Sequence, residues 1–185
     1  MSTTKLAGVC GFLPPIIGFT SILSALSMSP WFDWRHNALS DLGVGGPSLI
    51  FNLGLILSGL PILLFGLSLY VYHRRAILGL GWLLLGLSGA SLTGIGVFPE
   101  DRGIIHFYFS VAFFTLLASS ILVIGLEMLL SQRYKLAAFT LIIGASAALV
   151  WLMPHKGAAI PEAISSTLGS IWIITITFSY LKGKL

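Results

Sequence analysis

The side chains that could carry out chemistry gather in three short polar stretches, which lie between long apolar runs. In chain order, the candidates are Trp34, Asn37, Ser40, Asp41, Glu100, Asp101, His106 and His155. A carboxylate next to a histidine can bind a divalent metal or activate water. Asp41 and His106 are therefore the candidate catalytic residues, and both, together with His155, are candidate metal ligands. The remaining five would hold a substrate or a lipid.

Three of the acidic residues also have a purely structural interpretation. Glu100 and Asp101 follow Pro99, and Glu162 follows Pro161. Proline and carboxylates are both favoured in the first turn of a helix. The backbone N–H that proline lacks would have no partner inside the helix there, and the carboxylate interacts favourably with the positive end of the helix dipole. We therefore interpret these three acids first as helix-start residues and only second as site residues.

A functional role is better supported for the first polar stretch and for His106 than for these three acids. Asn37, Ser40 and Asp41 are more capping-type residues than one helix start requires, so structural and functional interpretations are equally supported. His106 has Ser110 four residues later on the same helix face. His106 is a metal ligand, a proton carrier, or a buried hydrogen-bond donor to Asp41 or to a backbone carbonyl. A buried histidine that only forms such a hydrogen bond is the commoner outcome. The chain has no HExxH, HxxxH or GxSxG motif.

The composition sets the class of protein that must position these residues. Of 185 residues, 56% are hydrophobic and 9% are charged, against about 25% charged in an ordinary soluble domain. Apolar runs of about 20 residues are long enough to cross a bilayer as helices. The sequence therefore predicts an all-α, polytopic membrane protein with a single domain, residues 1–185. The first run is too long for a cleaved signal peptide.

Six transmembrane helices in a single bundle account for these runs. The predicted spans are 6–28, 48–72, 76–98, 104–130, 136–153 and 162–180. Pro14 and Pro15 should kink the first span near its start. Gly86, Ala90 and Gly94 are four apart on the third span, and such small faces let helices approach closely. We expect this face to pack within the subunit, although packing between copies in a homo-oligomer is the alternative.

Charge predicts the orientation of the bundle. With the amino terminus in the cytoplasm, seven of the ten basic residues fall inside: Lys5, Arg74, Arg75, Arg133, Lys135, Lys182 and Lys184. The positive-inside rule then places both termini in the cytoplasm and the candidate residues at the extracytoplasmic face of the cell membrane. The formal charge of +4 and pI near 9.5 reflect this bias, so we predict no nucleic-acid partner. Glu127 would pair with Arg74, Arg133 or Lys135 at the inner face.

Short loops should bring the three polar stretches together, so that Asp41, His106 and His155 converge. The motifs in these stretches also carry a family resemblance. The sequences NALSDLG at 37–43, IFNLG at 50–54 and FPED at 98–101, with His106 downstream, resemble the DUF998 family of small six-span membrane proteins found in prokaryotes. That family is distantly similar to the Frag1/DRAM/Sfk1 group, which is associated with lipid organisation and membrane trafficking.

The resemblance implies six helices and a set of motif positions, but the family label records an unknown function. The implied motif positions are Asn37, Ser40, Asp41, Gly43, Pro99, Glu100, Asp101 and His106.

Three functional hypotheses therefore stay open. The first is an integral membrane protein that binds membrane lipids or a membrane-protein partner through its outer face. The second is an intramembrane enzyme that acts on lipid headgroups, with Asp41 and His106 binding a divalent metal or activating water. The third is a haem or quinone protein with His106 and His155 as axial ligands.

Overall fold

The computed structural model describes residues 3–73 and 75–183, which form six long α-helices. They are α1 (Thr3–Ser27), α2 (Ser48–Tyr72), α3 (Ala76–Val97), α4 (Ile104–Leu130), α5 (Tyr134–Leu149) and α6 (Ala159–Leu181). Short 3-10 helices cover Leu39–Gly43, Glu100–Arg102 and Val150–Leu152. Each of the six α-helices contains a stretch long and apolar enough to cross a membrane. The predicted all-α, six-span class is confirmed.

The predicted limits of the second and fourth spans match α2 and α4, and the other helices differ at their ends. Helix α1 begins at Thr3 and, as predicted, contains both prolines. Helix α5 ends at Leu149, because the backbone tightens into the 3-10 turn Val150–Leu152 before the chain leaves the bundle. Helix α6 begins at Ala159, three residues earlier than predicted. Arg74 lies outside the described residues.

The helices form a closed ring in which each packs against the next one in the chain, and α6 packs back against α1. Glycine allows the closest approach, between α2 and α3. A Cβ on Gly66 would collide with the backbone of Gly86, so only hydrogen atoms fit at this crossing. Gly94, on the same small face of α3, lies against the ring of Phe109 on α4. The predicted intramolecular packing of this face is confirmed at both glycines.

The two ends of the bundle differ in charge. We call the end formed by residues 28–47, 98–103 and 150–158 the acidic end, and the opposite end the basic end. At the basic end, Arg75 Nη1 donates to Glu127 Oε1 at 2.9 Å and to Ser131 Oγ at 2.8 Å. Among the described residues, Arg75 is therefore the partner of Glu127, in place of Arg133 and Lys135; Arg74, the third residue that the sequence suggested, lies outside them.

The two halves of the bundle also differ in packing. Toward the basic end, Phe65, Trp82 and Trp172 have no exposed surface, and their rings are in contact with one another: the centroids of Phe65 and Trp82 are 6.0 Å apart, and those of Trp82 and Trp172 are 6.4 Å apart. Large aromatic side chains thus fill this half. A large cavity lies in the other half, beside the acidic end.

Candidate functional site

The first loop of the acidic end is folded by its own side chains. Asp41 Oδ2 accepts hydrogen bonds from Asn37 Nδ2 at 2.7 Å and from the backbone N–H of Ala38 at 3.0 Å. Asn37 Oδ1 in turn accepts from the backbone N–H of Asp33 at 2.8 Å. Asn37 and Asp41 therefore hold the short 3-10 helix Leu39–Gly43 in place, which corresponds to the structural interpretation of this stretch.

The last loop of the acidic end is hydrogen-bonded to the first. The backbone N–H of Gly157 donates to Arg35 O and that of Ala159 to Asn37 O, both at 2.9 Å. A Cβ at Gly157 would collide with the backbone of His36 and Asn37, so only glycine permits this approach. The predicted meeting of these two loops is confirmed. The bond from Ala159 also explains why α6 begins earlier than the sequence suggested.

Glu162 joins the last helix to the first loop. Its side chain is 7% exposed, and Oε2 accepts a hydrogen bond of 2.6 Å from the backbone N–H of Leu39. No other hydrogen bond to this carboxylate forms within the described residues. Glu162 lies in the first turn of α6, where the helix dipole favours a negative charge. The helix-start interpretation thus covers only part of its role, because its hydrogen bond goes to another element.

Glu100 carries an unsatisfied oxygen at the same place. Its Oε2 atom is buried and has no hydrogen-bond partner in the described part of the chain. Burial raises the pKa of Glu100 above its usual value; the hydroxyl of Ser40 opposes this shift and the charge of Asp41 adds to it. Its neighbour Asp101 is exposed. A buried carboxyl oxygen without a partner is uncommon, and it marks this position as a site for a donor.

His106 is held in one tautomer by its surroundings. The ring is 6% exposed, and Nδ1 lies 2.8 Å from Phe98 O. A carbonyl can only accept, so Nδ1 carries a proton, and in the neutral ring Nε2 is then the acceptor. Ser110 Oγ lies 3.2 Å from Nε2 and donates to it. His106 is thus a buried donor to a backbone carbonyl, one of the alternatives that the sequence left open, while metal binding and proton transfer stay hypotheses.

These polar groups form one end of a cavity of about 580 Å³ beside α4, which we call the α4–α5 groove. Its polar end is formed by Ser40, Glu100, His106, Ser110 and Glu162. The rest of its wall consists of Ala38, Gly103, Phe107, Val111, Phe114, Thr115, Ala118, Ser119, Leu122, Ala148, Trp151 and Ala158. The wall thus changes from acidic to largely apolar within one continuous space.

The α4–α5 groove is long and opens on the outside of the bundle. Along α4 it extends from His106 to Leu122, which is about 24 Å at 1.5 Å per residue. Its wall includes Thr115 and Ala148, both of which are exposed. The groove ends where α4 and α5 come together, since a Cβ on Gly144 would lie only 3.0 Å from Leu122 Cδ2.

Residues 12–179 of the chain match the family described as "Protein of unknown function (DUF998)". The chain belongs to the DUF998 family. The matched range covers every residue that lines the α4–α5 groove. No curated protein and no solved structure matches the chain.

In this DUF998 protein, the structure brings together only part of the predicted site. Ser40, Glu100 and His106 line the groove, whereas Trp34, Asn37, Asp41, Asp101 and His155 do not. His155 Nδ1 lies 2.7 Å from Met153 O in the last loop. Trp34 is exposed and its ring contacts that of Phe32. Within residues 3–73 and 75–183, no three His, Cys, Asp or Glu side chains form a group that could hold a metal ion.

Two residues of the groove's polar end were absent from the predicted site of this DUF998 protein. Ser110 was noted only as a neighbour of His106 on the same helix face. Glu162 was interpreted as a helix-start residue, although a carboxylate at the beginning of an apolar span is costly unless it has a partner. That cost was the one signal in the sequence that pointed to Glu162.

Proposed function

We propose that this DUF998 protein binds one amphipathic membrane lipid in the α4–α5 groove. The observation that carries the proposal is the change from an acidic end to an apolar wall within a single cavity. A volume of about 580 Å³ falls within the range of ligand sites, which is about 300–1,000 Å³. A lipid has the same polarity profile, with a polar headgroup joined to a hydrocarbon chain.

The position of the groove in the bundle supports a lipid ligand. Its polar end lies among the loops of the acidic end, and its apolar wall follows α4 to Leu122, within the part of the helix that crosses the membrane. The exposed lining residues Thr115 and Ala148 give access from the side, where a bilayer supplies acyl chains. Together with the charge bias of the loops, this leads us to propose the outer leaflet of the cell membrane as the source of the ligand.

A cavity-filling variant with a matched control tests the proposal. Ala148→Trp places an indole in the groove from an exposed position on α5, so it should block the ligand without disturbing the core. Ser146→Trp puts the same side chain at an exposed position on α5 that does not line the groove. Native mass spectrometry of the purified proteins should detect one bound lipid on the wild type and on Ser146→Trp, and none on Ala148→Trp.

Equal lipid retention by the two tryptophan variants would contradict the proposal, as would a wild-type protein that carries no lipid in any membrane-like preparation.

A second candidate function, hydrolysis of a lipid ester, is supported by the pair of Ser110 and His106. The Ser110 hydroxyl donates to Nε2 of a histidine whose other nitrogen is fixed by Phe98 O. This is the arrangement of nucleophile, base and orienting group that acyl transfer uses. Ser110 Oγ would attack the ester carbonyl while its proton passes to His106 Nε2 and then to the departing alcohol. Water, activated by the same nitrogen, would release the fatty acid.

The enzyme hypothesis makes its own prediction. A long-chain 4-nitrophenyl ester should be hydrolysed by the wild type and by Ser119→Ala, which changes another groove serine, but not by Ser110→Ala. Activity in Ser110→Ala equal to that of the wild type would contradict the hydrolase and leave lipid binding in place.

A further inference from the structure

We infer that the α4–α5 groove selects an amphiphile with a primary ammonium headgroup and rejects one with a phosphate or carboxylate headgroup. The inference rests on the proposed lipid-binding function and specifies the chemistry of its ligand. It follows from the hydrogen-bonding groups and the charges that face the polar end.

The groups at the polar end are mostly acceptors. Glu100 Oε2 is buried without a donor in the described part of the chain. Glu162, at 7% exposure, uses Oε2 for Leu39 and leaves its other oxygen without a hydrogen bond in the described structure. In the neutral ring, His106 Nε2 already accepts from the Ser110 hydroxyl, so the Ser110 oxygen is the acceptor that remains there. A headgroup with several N–H donors would satisfy these groups, whereas a second acceptor would not.

Among the described residues, no lysine or arginine occupies the polar end of the groove. The lysine and arginine residues of the acidic end are Arg35, Arg102 and Lys156, all of which are exposed, and none of them lines the groove. Among the described residues, none of the three forms an ion pair. Asp41 is a further acid whose charge acts on Glu100. An anionic headgroup would therefore meet acidic side chains and no lysine or arginine partner at this end of the groove.

The burial of the polar end favours a small cationic headgroup. Glu100 and Glu162 line this end together with His106 and Ser40, and of these four residues Glu162, His106 and Ser40 are buried. An ammonium group is compact and offers three donors, so it can serve two carboxyl groups and a hydroxyl together. Charge-assisted hydrogen bonds of this kind are about twice as strong as neutral ones. They would therefore offset the free-energy cost of burying the two carboxyl groups.

Three probes with the same chain and different headgroups test the inference: hexadecylamine, hexadecanol and hexadecyl phosphate. Each is titrated into the full-length protein in a neutral detergent, and the rise in unfolding temperature reports binding to the folded state. The amine should stabilise the wild type and Ser146→Trp at concentrations about tenfold lower than the alcohol, and the phosphate should not stabilise either. Ala148→Trp should lose the effect of the amine.

Glu100→Gln removes the charge of the unpartnered carboxyl group and keeps the size of the side chain. This variant should fold and still bind the alcohol, while its preference for the amine over the alcohol falls about tenfold.

The outcomes separate the two proposals. If all three probes stabilise the wild type equally and Ala148→Trp abolishes the effect, the groove binds lipids without regard to charge, and the inference is overturned while the proposed function stands. A preference for the phosphate would also overturn the inference alone. If no probe gives an effect that Ala148→Trp removes, lipid binding in the groove is overturned and the inference with it.

Discussion

The carboxylate of Glu162 accepts a hydrogen bond from the backbone N–H of Leu39 at 2.6 Å, across 123 residues of sequence. This contact joins the first turn of α6 to the 3-10 helix Leu39–Gly43, and it lies at the polar end of the α4–α5 groove. One buried acid thus connects the last helix to the first loop at the acidic end and also forms part of the proposed binding site.

Removing this acceptor should destabilise the protein. Glu162→Ala leaves the Leu39 N–H without a partner in a buried position, which costs about 1–3 kcal/mol. Glu162→Gln keeps an acceptor oxygen and should cost less. Thr167→Ala is the control on the same helix, since that exposed hydroxyl only bonds its own helix at Ala163 O. The measurement is the free energy of unfolding in a denaturing-detergent titration, and Glu162→Ala with the stability of Thr167→Ala would refute the role given to the Leu39 contact.

The docking of the last loop on the first should depend on one glycine. Gly157→Ala brings a methyl group into the backbone of His36 and Asn37, so the two loops must separate and the paired bonds to Arg35 O and Asn37 O must weaken. We expect a lower unfolding temperature and faster proteolysis of the loops at the acidic end. Gly46→Ala is the matched control, because nothing lies within 4 Å of a Cβ there. If both variants behave alike, the loops are not held together in the way described.

The ion pair at the basic end gives a third prediction. Glu127 is 5% exposed, and Arg75 is its charged partner. Among the described residues, Arg75→Gln leaves this carboxylate with only the Ser131 hydroxyl as a partner, so the free energy of unfolding should fall by about 1–3 kcal/mol. Arg102→Gln removes an exposed arginine that forms no ion pair in the described structure, and it should have no measurable effect. A similar stability for the two variants would show that the pair contributes little.

The stability of the acidic end should vary with pH through Glu100. Burial raises the pKa of this carboxyl group in the folded protein above the ordinary value that it has in the unfolded chain. Between the ordinary and the raised pKa the folded state therefore binds more protons than the unfolded state, and stability falls as the pH rises through this window. Glu100→Gln removes this group, so its unfolding temperature should exceed that of the wild type at about pH 8 and approach it at about pH 4. A constant difference between the two proteins across this range would contradict the burial of Glu100.

Much of the fold could be predicted from the sequence because the bilayer restricts the chain so strongly. An apolar run of about 20 residues has few options other than a spanning helix. For this reason the limits of α2 and α4 were predicted to the residue. The start of α6 and the end of α5 were missed, because they depend on the hydrogen bond from Ala159 to Asn37 O and on a 3-10 turn, which are set by contacts between distant segments.

The candidate site was less predictable, because residue type does not reveal where a side chain points. From the sequence, Asp41 and His106 are equally able to take part in catalysis or metal binding. In the structure, Asp41 caps its own 3-10 helix, while His106 lines the groove. Glu162 looks like an ordinary helix-start acid until the first loop is placed beside it. These differences arise from the packing of loops that are far apart in the sequence, and no local pattern encodes them.

The measurement that tests the central claim most directly is a density map of the protein in bilayer particles cut from the membrane in which it is made. The account predicts an elongated density along α4 in the α4–α5 groove, with its polar end within hydrogen-bond distance of Glu100 and Glu162. A groove filled by the protein's own side chains, or occupied only by water from end to end, would contradict it.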